Sequence, residues 1–332
     1  MGQTDSSPNY EGESLGFYNQ ALWTPCLLPD VGIDESLLKY SGSDSNAVLQ
    51  AYSNEMLKTV PGYINSFGSA FRALNSVPNA VGLGALVISL IIEIAIKSST
   101  QTSDDTYSLL QRVFGEEKAS SVRDTMSEYL RRHRMHMDNN QRLLVEISRL
   151  EHQLSNHLTI LRNSLLQDGQ MSSRGFKIWV NGAAFYVQML IHEARLNIQA
   201  GKPASVYVNS IEAAIDLYLQ DLDYMLKKYK TYKINSGIFS YSRGVIVPAL
   251  DASFYIPATC SMKNKEIKNC ELQTEGFKFD CSDPKMVTAF MDIVYSNYEP
   301  IKGLKSYFLN IKNDLNSLIH ESGSFTVPSA AG

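Results

Sequence analysis

Charge is missing from one long stretch of the chain. From Ala73 to Ile92, 20 consecutive residues carry none, and Val77–Ile96 reads VPNAVGLGALVISLIIEIAI. Apolar residues fall there on every face of a helix rather than along one stripe, which predicts an element shielded from water all round. Twenty residues at about 1.5 Å each would match the hydrocarbon thickness of a bilayer. Asn75, Ser76, Pro78 and Asn79 dilute the front of the stretch, and Glu93 stands near its end. The expected resting state is therefore the buried central helix of a bundle.

The flanking patterns are helical with a single apolar stripe. Val48, Tyr52, Met56, Leu57, Val60 and Ile64 recur at helical spacing over 46–74, with a break at Pro61-Gly62. A short helix is expected to reach Phe114. Over 117–167, Leu143, Ile147, Leu150, Leu154, Leu158, Leu161 and Leu165 step by four and three, a bundle or coiled-coil seam. Val122, Met126, Leu130, His133 and Met137 continue the stripe upstream, and Asp138-Asn139-Asn140 is a place where the rod could divide. A nearly all-apolar helix follows over 173–200 and stops at Gly201-Lys202-Pro203. Val208, Ile211, Ile215, Leu219, Leu222, Leu226 and Tyr229 then form one more stripe.

Composition shifts at Asn235-Ser236-Gly237. Residues 238–282 are β-branched and aromatic and read as short strands, among them Val245–Val247, Ser253–Ile256 and Phe277–Phe279. Asp283-Pro284 opens a helix to Tyr298, and a second is expected at Leu304–Ile319. The pattern predicts a mainly α protein, a multi-helix bundle around a central apolar helix. Its parts would be an extended acidic arm at 1–45 pinned by Trp23, Leu27 and Leu28, the bundle at 46–235, a β-rich segment at 236–284, C-terminal helices at 285–320 packing back, and a mobile tail at 321–332.

Charge narrows the partners. The net charge is −4, and residues 1–38 hold six acidic and no basic side chains. No bulk basic field exists to hold nucleic acid. The start, Met-Gly-Gln-Thr-Asp-Ser, lacks a signal-peptide pattern but fits N-myristoylation at Gly2. No Cys-x-x-Cys pair occurs, and without an export signal the four cysteines are expected to be reduced, with one disulfide among Cys260, Cys270 and Cys281 as the alternative. The expected location is the cytoplasm or a peripheral membrane surface, with non-classical secretion as the other route.

Catalytic signatures are missing from the sequence. Gly201-Lys202 has neither the first glycine nor the hydroxyl of a phosphate-binding loop, and Gly82-x-Gly84 follows no strand, so close helix packing explains those glycines better. His133 and His136 share a helix face but lie among arginines, and His192-Glu193 lacks the second histidine of a zinc helix. Asp221 and Asp223 would point to different sides of a helix. No catalytic residue, metal site or cofactor is therefore expected. Two basic clusters, Arg131, Arg132 and Arg134 and then Lys227, Lys228 and Lys230, are candidates for lipid head groups.

The glycine-containing apolar helix at 77–96, the long rod at 117–167 and the aromatic helix at 173–200 give residues 46–233 an organisation that resembles the helical pore-forming domain of three-domain insecticidal toxins and jellyfish toxins. The resemblance implies a non-enzymatic, membrane-active protein in which Val81, Gly82, Gly84, Leu86, Ile88, Ile91 and Glu93 enter the bilayer. Glu93 would then need neutralisation or a wet lumen. The alternative is a cytosolic scaffold whose rod binds partner helices. Membrane lipid or protein partner helices are the expected partners, and a homo-oligomer is compatible with either.

Overall fold

The computed structural model describes residues 10–60, 70–71, 74–99, 121–248, 253–277 and 280–328. Gly2, Pro61-Gly62 and the helix expected to reach Phe114 lie outside them. The fold is mainly α with small sheets, as the patterning predicts. It divides into two units, each drawn from separate stretches of chain. The larger takes Gly32–Gln170, Arg174–Met225 and Gly303–Gly332, and the smaller takes Met1–Val31, Met171–Ser173 and Leu226–Lys302.

The larger unit is built around the apolar helix. After α1 (Tyr10–Ala21), which belongs to the smaller unit, the chain forms α2 (Glu35–Lys39), α3 (Ser45–Thr59), β1 (Ser76–Val77) and α4 (Leu83–Ser99). Asp34 caps α2 by accepting from the Ser36 amide at 2.8 Å, satisfying one of its orphan donors. The apolar helix starts at Leu83, six residues later than its expected start at Val77. Ser76–Val77 instead pairs antiparallel with β7 (Phe325–Thr326), and Asn79 and Gly82 take positive φ values of 53° and 52° that a helix cannot accommodate. From Leu83 to Ile92 no side chain is more than 7% exposed. Helices α2, α3 and α5 (Ser121–His136) pack against it. Each buried Leu, Ile or Val there contributes about 2 kcal/mol of transfer free energy.

The rod divides where Asp138-Asn139-Asn140 allows it. Helix α6 (Asn140–Leu166) begins after Asn139, whose side chain accepts from the Arg142 amide at 3.1 Å. Its seam is already filled: Leu143, Ile147, Leu150, Leu154, Leu158 and Leu165 are at most 2% exposed, and Leu161 is half-buried. Helix α7 (Ser173–Gln199) is buried around most of its circumference, with Phe176, Trp179 and Phe185 at 0% exposure. Helix α8 (Ser205–Ser236) places its residues up to Met225 in this unit, where Asp221 accepts from Arg162 at 2.6 Å and Asp223 pairs with Lys305. Both carboxylates are thus ion-paired.

The smaller unit holds the β-rich segment. Strands β2 (Gly237–Ser242), β5 (Thr259–Asn264) and β6 (Glu271–Glu275) form an antiparallel sheet in the order β2-β5-β6, while β3 (Val245–Pro248) and β4 (Ser253–Ile256) form a separate hairpin. Phe277 lies outside any strand, and 278–279 lie outside the described residues. Helix α9 (Pro284–Asn297) starts on the Asp283 cap and packs against α1. Phe17 of α1 meets Phe277, Phe290 and Phe239 with ring centroids 5.6, 5.4 and 6.3 Å away.

Four expectations are corrected here. The stretch read as an extended arm carries α1 and α2, because Phe17, Tyr18, Ala21, Leu37 and Tyr40 have apolar cores to enter. Leu27 and Leu28 are buried as anchors, but Trp23 is 90% exposed. The cysteines are paired as Cys26–Cys270 and Cys260–Cys281 rather than reduced, and three of the four sit on or beside the sheet that the pairing ties together. The tail read as mobile from 321 is instead anchored: Phe325 is fully buried and β7 extends to Thr326, following α10 (Glu299–His320).

Candidate functional site

The loop that leads into α4 is held by a buried polar chain. Arg195 of α7 is 1% exposed. Its Nε donates to the Leu318 carbonyl and its Nη2 to Glu321 Oε2, both at 2.6 Å. The other Glu321 oxygen accepts from Ser45 Oγ at 2.5 Å, and Ser45 Oγ accepts from the Gly82 amide at 2.6 Å. One continuous path therefore links α7, the segment after α10, the start of α3 and the turn before α4. Around it the Ala80 amide donates to Gly323, Asn46 donates to the Ala80 carbonyl, both at 3.0 Å, and Gln199 donates to Asn79 at 2.5 Å.

Two glycines make this approach possible. At Gly82, with its positive φ, an added Cβ would lie 2.2 Å from an Arg195 nitrogen. At Gly84 it would lie 2.2 Å from the Asn79 carbonyl oxygen and 3.2 Å from the His192 ring. Close packing is the physical role of this pair.

Beside the chain lie two buried histidines. His133 is 1% and His192 0% exposed, their ring centroids are 5.7 Å apart, and among the described residues neither ring nitrogen of either has a hydrogen-bond partner. The Tyr129 hydroxyl, beside His133, shares that condition. Burial pushes His133 down to about 4, and burial, with the His133 and Arg195 charges adding to it, holds His192 well below the ordinary histidine range. Burial also lowers Arg195 to about 10, opposed by Glu321. His133 therefore does not belong to the solvated basic face of its arginine neighbours. Its stripe position, in step with Val122, Met126, Leu130 and Met137, was the signal that it faces inward.

The remaining candidates are spread through the fold. Val81 and Gly82 precede α4, Gly84 lies in its first turn, Leu86, Ile88 and Ile91 are core, and Glu93 is half-buried. In the larger unit Arg131 and Arg134 are exposed, whereas Arg132 donates to Glu128 at 2.6 Å. In the smaller unit Lys227 and Lys228 are exposed, and Lys230 pairs with Asp292. Glu193, behind His192, has its carboxyl raised by burial and then by Glu151, which itself accepts from Tyr186. Among the described residues no group of three or more His, Cys, Asp or Glu is placed to hold a metal ion.

Sequence reasoning treated β3–β4 only as strands, yet among the described residues their exposed surface is largely apolar. Val245, Ile246 and Val247 are 50, 70 and 42% exposed, and Phe254, Tyr255 and Ile256 are 62, 67 and 51% exposed. Every residue of both strands is exposed, so apolar side chains stand on both faces of the ribbon. Among the described residues no helix is long and apolar enough to cross a membrane. Comparison of the chain with family models, with curated proteins and with solved structures finds no match.

Proposed function

We propose that the chain is a non-enzymatic, membrane-active protein that meets a bilayer surface through the β3–β4 hairpin, with the apolar helix α4 held back inside the larger unit. The observation that carries this reading is the exposure of six large apolar side chains on both faces of one two-stranded ribbon. A protein partner covers one face of such a ribbon, whereas the lipid interface surrounds it and covers both. Tyr255 suits that boundary, where its apolar ring and its polar hydroxyl are both accommodated, and Phe254 suits the apolar side of it. The strands themselves carry no charge, since Gly244–Pro248 and Ser253–Met262 are uncharged, and the nearest charges in the sequence are Arg243, Asp251 and Lys263. The two disulfides favour an oxidising compartment over the cytoplasm.

The partner-helix alternative is less well supported, because the α6 seam that would receive such a helix is occupied within its own unit. Flotation with vesicles tests the choice. The wild-type protein is expected to float with vesicles and release an entrapped dye. Ile246→Asp with Tyr255→Asp, both at exposed positions, should stay in the soluble fraction with an unchanged circular dichroism spectrum. A wild-type protein that neither floats nor releases dye on neutral or anionic vesicles, at neutral or acid pH, overturns the reading.

A further inference from the structure

The base of α4 rests on groups that are polar yet bonded to nothing. Tyr129 and His133 of α5 have ring centroids 5.9 Å apart, and His133 and His192 of α7 have theirs 5.7 Å apart. Arg195 follows His192 by one helical turn. Among the described residues the Tyr129 hydroxyl, both ring nitrogens of each histidine and Arg195 Nη1 have no hydrogen-bond partner. Each such group is costly to bury, and a cluster of them is a reservoir of strain. Helix α4 and the turn before it close over this cluster. The Arg195 guanidinium lies against Gly82 and the His192 ring against Gly84, where a Cβ would stand 2.2 and 3.2 Å from them.

We propose that this cluster is an acid-sensitive latch: protonation of His133 and His192 frees the base of α4, and the helix then enters a bilayer to which the protein is bound. The proposal rests on the membrane reading and supplies its trigger. The surroundings hold no counter-ion in reserve for the new charges. His192 feels His133 and Arg195, which are both cationic once the pair titrates. Glu321 is committed to Arg195 and Ser45. Glu193 faces Glu151, His152 and Lys202, and Arg132 turns to Glu128. His157 of α6 meets Thr125, about two turns before His133. Glu93 of α4 lies nine residues beyond Gly84, about 13 Å along the helix. Two buried cations side by side must therefore reach water, and lifting the turn before α4 opens the way. That turn is tied by polar contacts, from the Gly82 amide to Ser45 and from Ala80 to Gly323 and Asn46. Acid alone does not expel the helix, because Leu83–Ile92 would meet water. Lipid removes that obstacle, being as apolar as the core. At 17 residues, about 25 Å, the helix enters the lipid without crossing it. Burial keeps both rings neutral at pH 7, so the latch opens between the ordinary histidine value near 6.5 and about 4.

The probe is a vesicle of phosphatidylcholine and phosphatidylserine that carries a photolabel in its lipid tails. It is mixed with the full chain, and the labelled peptides are identified by mass spectrometry. At pH 7.5 the wild type is expected to be labelled on β3 and β4 and not on 83–92. At pH 4.5 labelling of 83–92 should rise at least about tenfold, the effect of one linked proton over a single pH unit. His133→Leu with His192→Leu takes up neither proton, so 83–92 should stay unlabelled at pH 4.5 while the hairpin is labelled as before. His133→Gln and His192→Gln, made singly, should each make the rise with falling pH shallower, and urea unfolding at pH 7.5 shows which variants keep the fold. Equal labelling of 83–92 at both pH values, a labelled hairpin at pH 4.5 with 83–92 still bare, or an unchanged pH profile in the folded variants overturns the latch and leaves the membrane reading standing. A wild type labelled nowhere at either pH removes the membrane reading, and the latch with it.

Discussion

Arg195→Met is expected to cost the larger unit about 3–5 kcal/mol, the range for breaking a buried ion pair by removing one member. The charge left behind cannot find water, since the Glu321 side chain is 7% exposed. Its remaining partner, the Ser45 hydroxyl, is neutral, and the Leu318 carbonyl loses its donor at the same time. Replacing both members, Arg195→Met with Glu321→Leu, should recover a large part of the loss, because the dominant penalty is the orphaned carboxylate rather than the missing attraction. Trp179 is fully buried in this unit and Trp23 is almost fully exposed in the other, so fluorescence during urea unfolding reports Trp179. A single variant within 1 kcal/mol of wild type would show that the polar chain does not hold the structure.

Acid is expected to weaken the same region for a different reason. His133 is neutral in the fold down to about 4 but titrates near 6.5 once unfolded. Below pH 6.5 the unfolded chain binds a proton that the folded one refuses, so stability is complete above that value and falls progressively as pH drops toward 4. At pH 4.5 this single group accounts for about 2–3 kcal/mol. His192, held well below the ordinary histidine range chiefly by burial, adds a loss of the same sign. Urea midpoints measured at pH 7.5 and 4.5 should differ accordingly. The double variant His133→Leu with His192→Leu should flatten the difference, leaving the part that belongs to carboxylates. An undiminished difference in that variant would mean that the pair is solvated or relaxes on protonation. Since His192 touches the first turn of α4 across Gly84, protonation of the pair acts directly on the seat of the apolar helix.

Apolar periodicity made most of this fold legible. The α6 seam, the buried circumference of α7 and the sequestration of α4 all follow from where Leu, Ile and Val recur, because burial is what those side chains contribute. Short-range signals read equally well: Asn139 divides the rod and Asp283 starts α9, each through a local cap. What escaped notice depends on long-range pairing. Nothing near Cys26 announces Cys270, 244 residues away, and nothing in Ser76–Val77 announces Phe325–Thr326. The Ser45, Gly82, Arg195 and Glu321 chain escaped for the same reason, as each member is an ordinary residue until the fold brings them together. Exposure was the other blind spot. The β-branched and aromatic pattern that identified β3 and β4 as strands is the same for a core strand as for one standing in solvent.

The Cys26–Cys270 bond has a consequence for how the chain survives cutting. Its ends bracket all but the first 25 and the last 62 residues of the polypeptide. A protease that nicks the backbone once anywhere between them yields two fragments that still migrate as one species, and only a thiol reagent separates them. The molecule can thus be processed within this enclosed span without shedding mass, and a reducing environment, rather than the cut itself, would set the pieces apart.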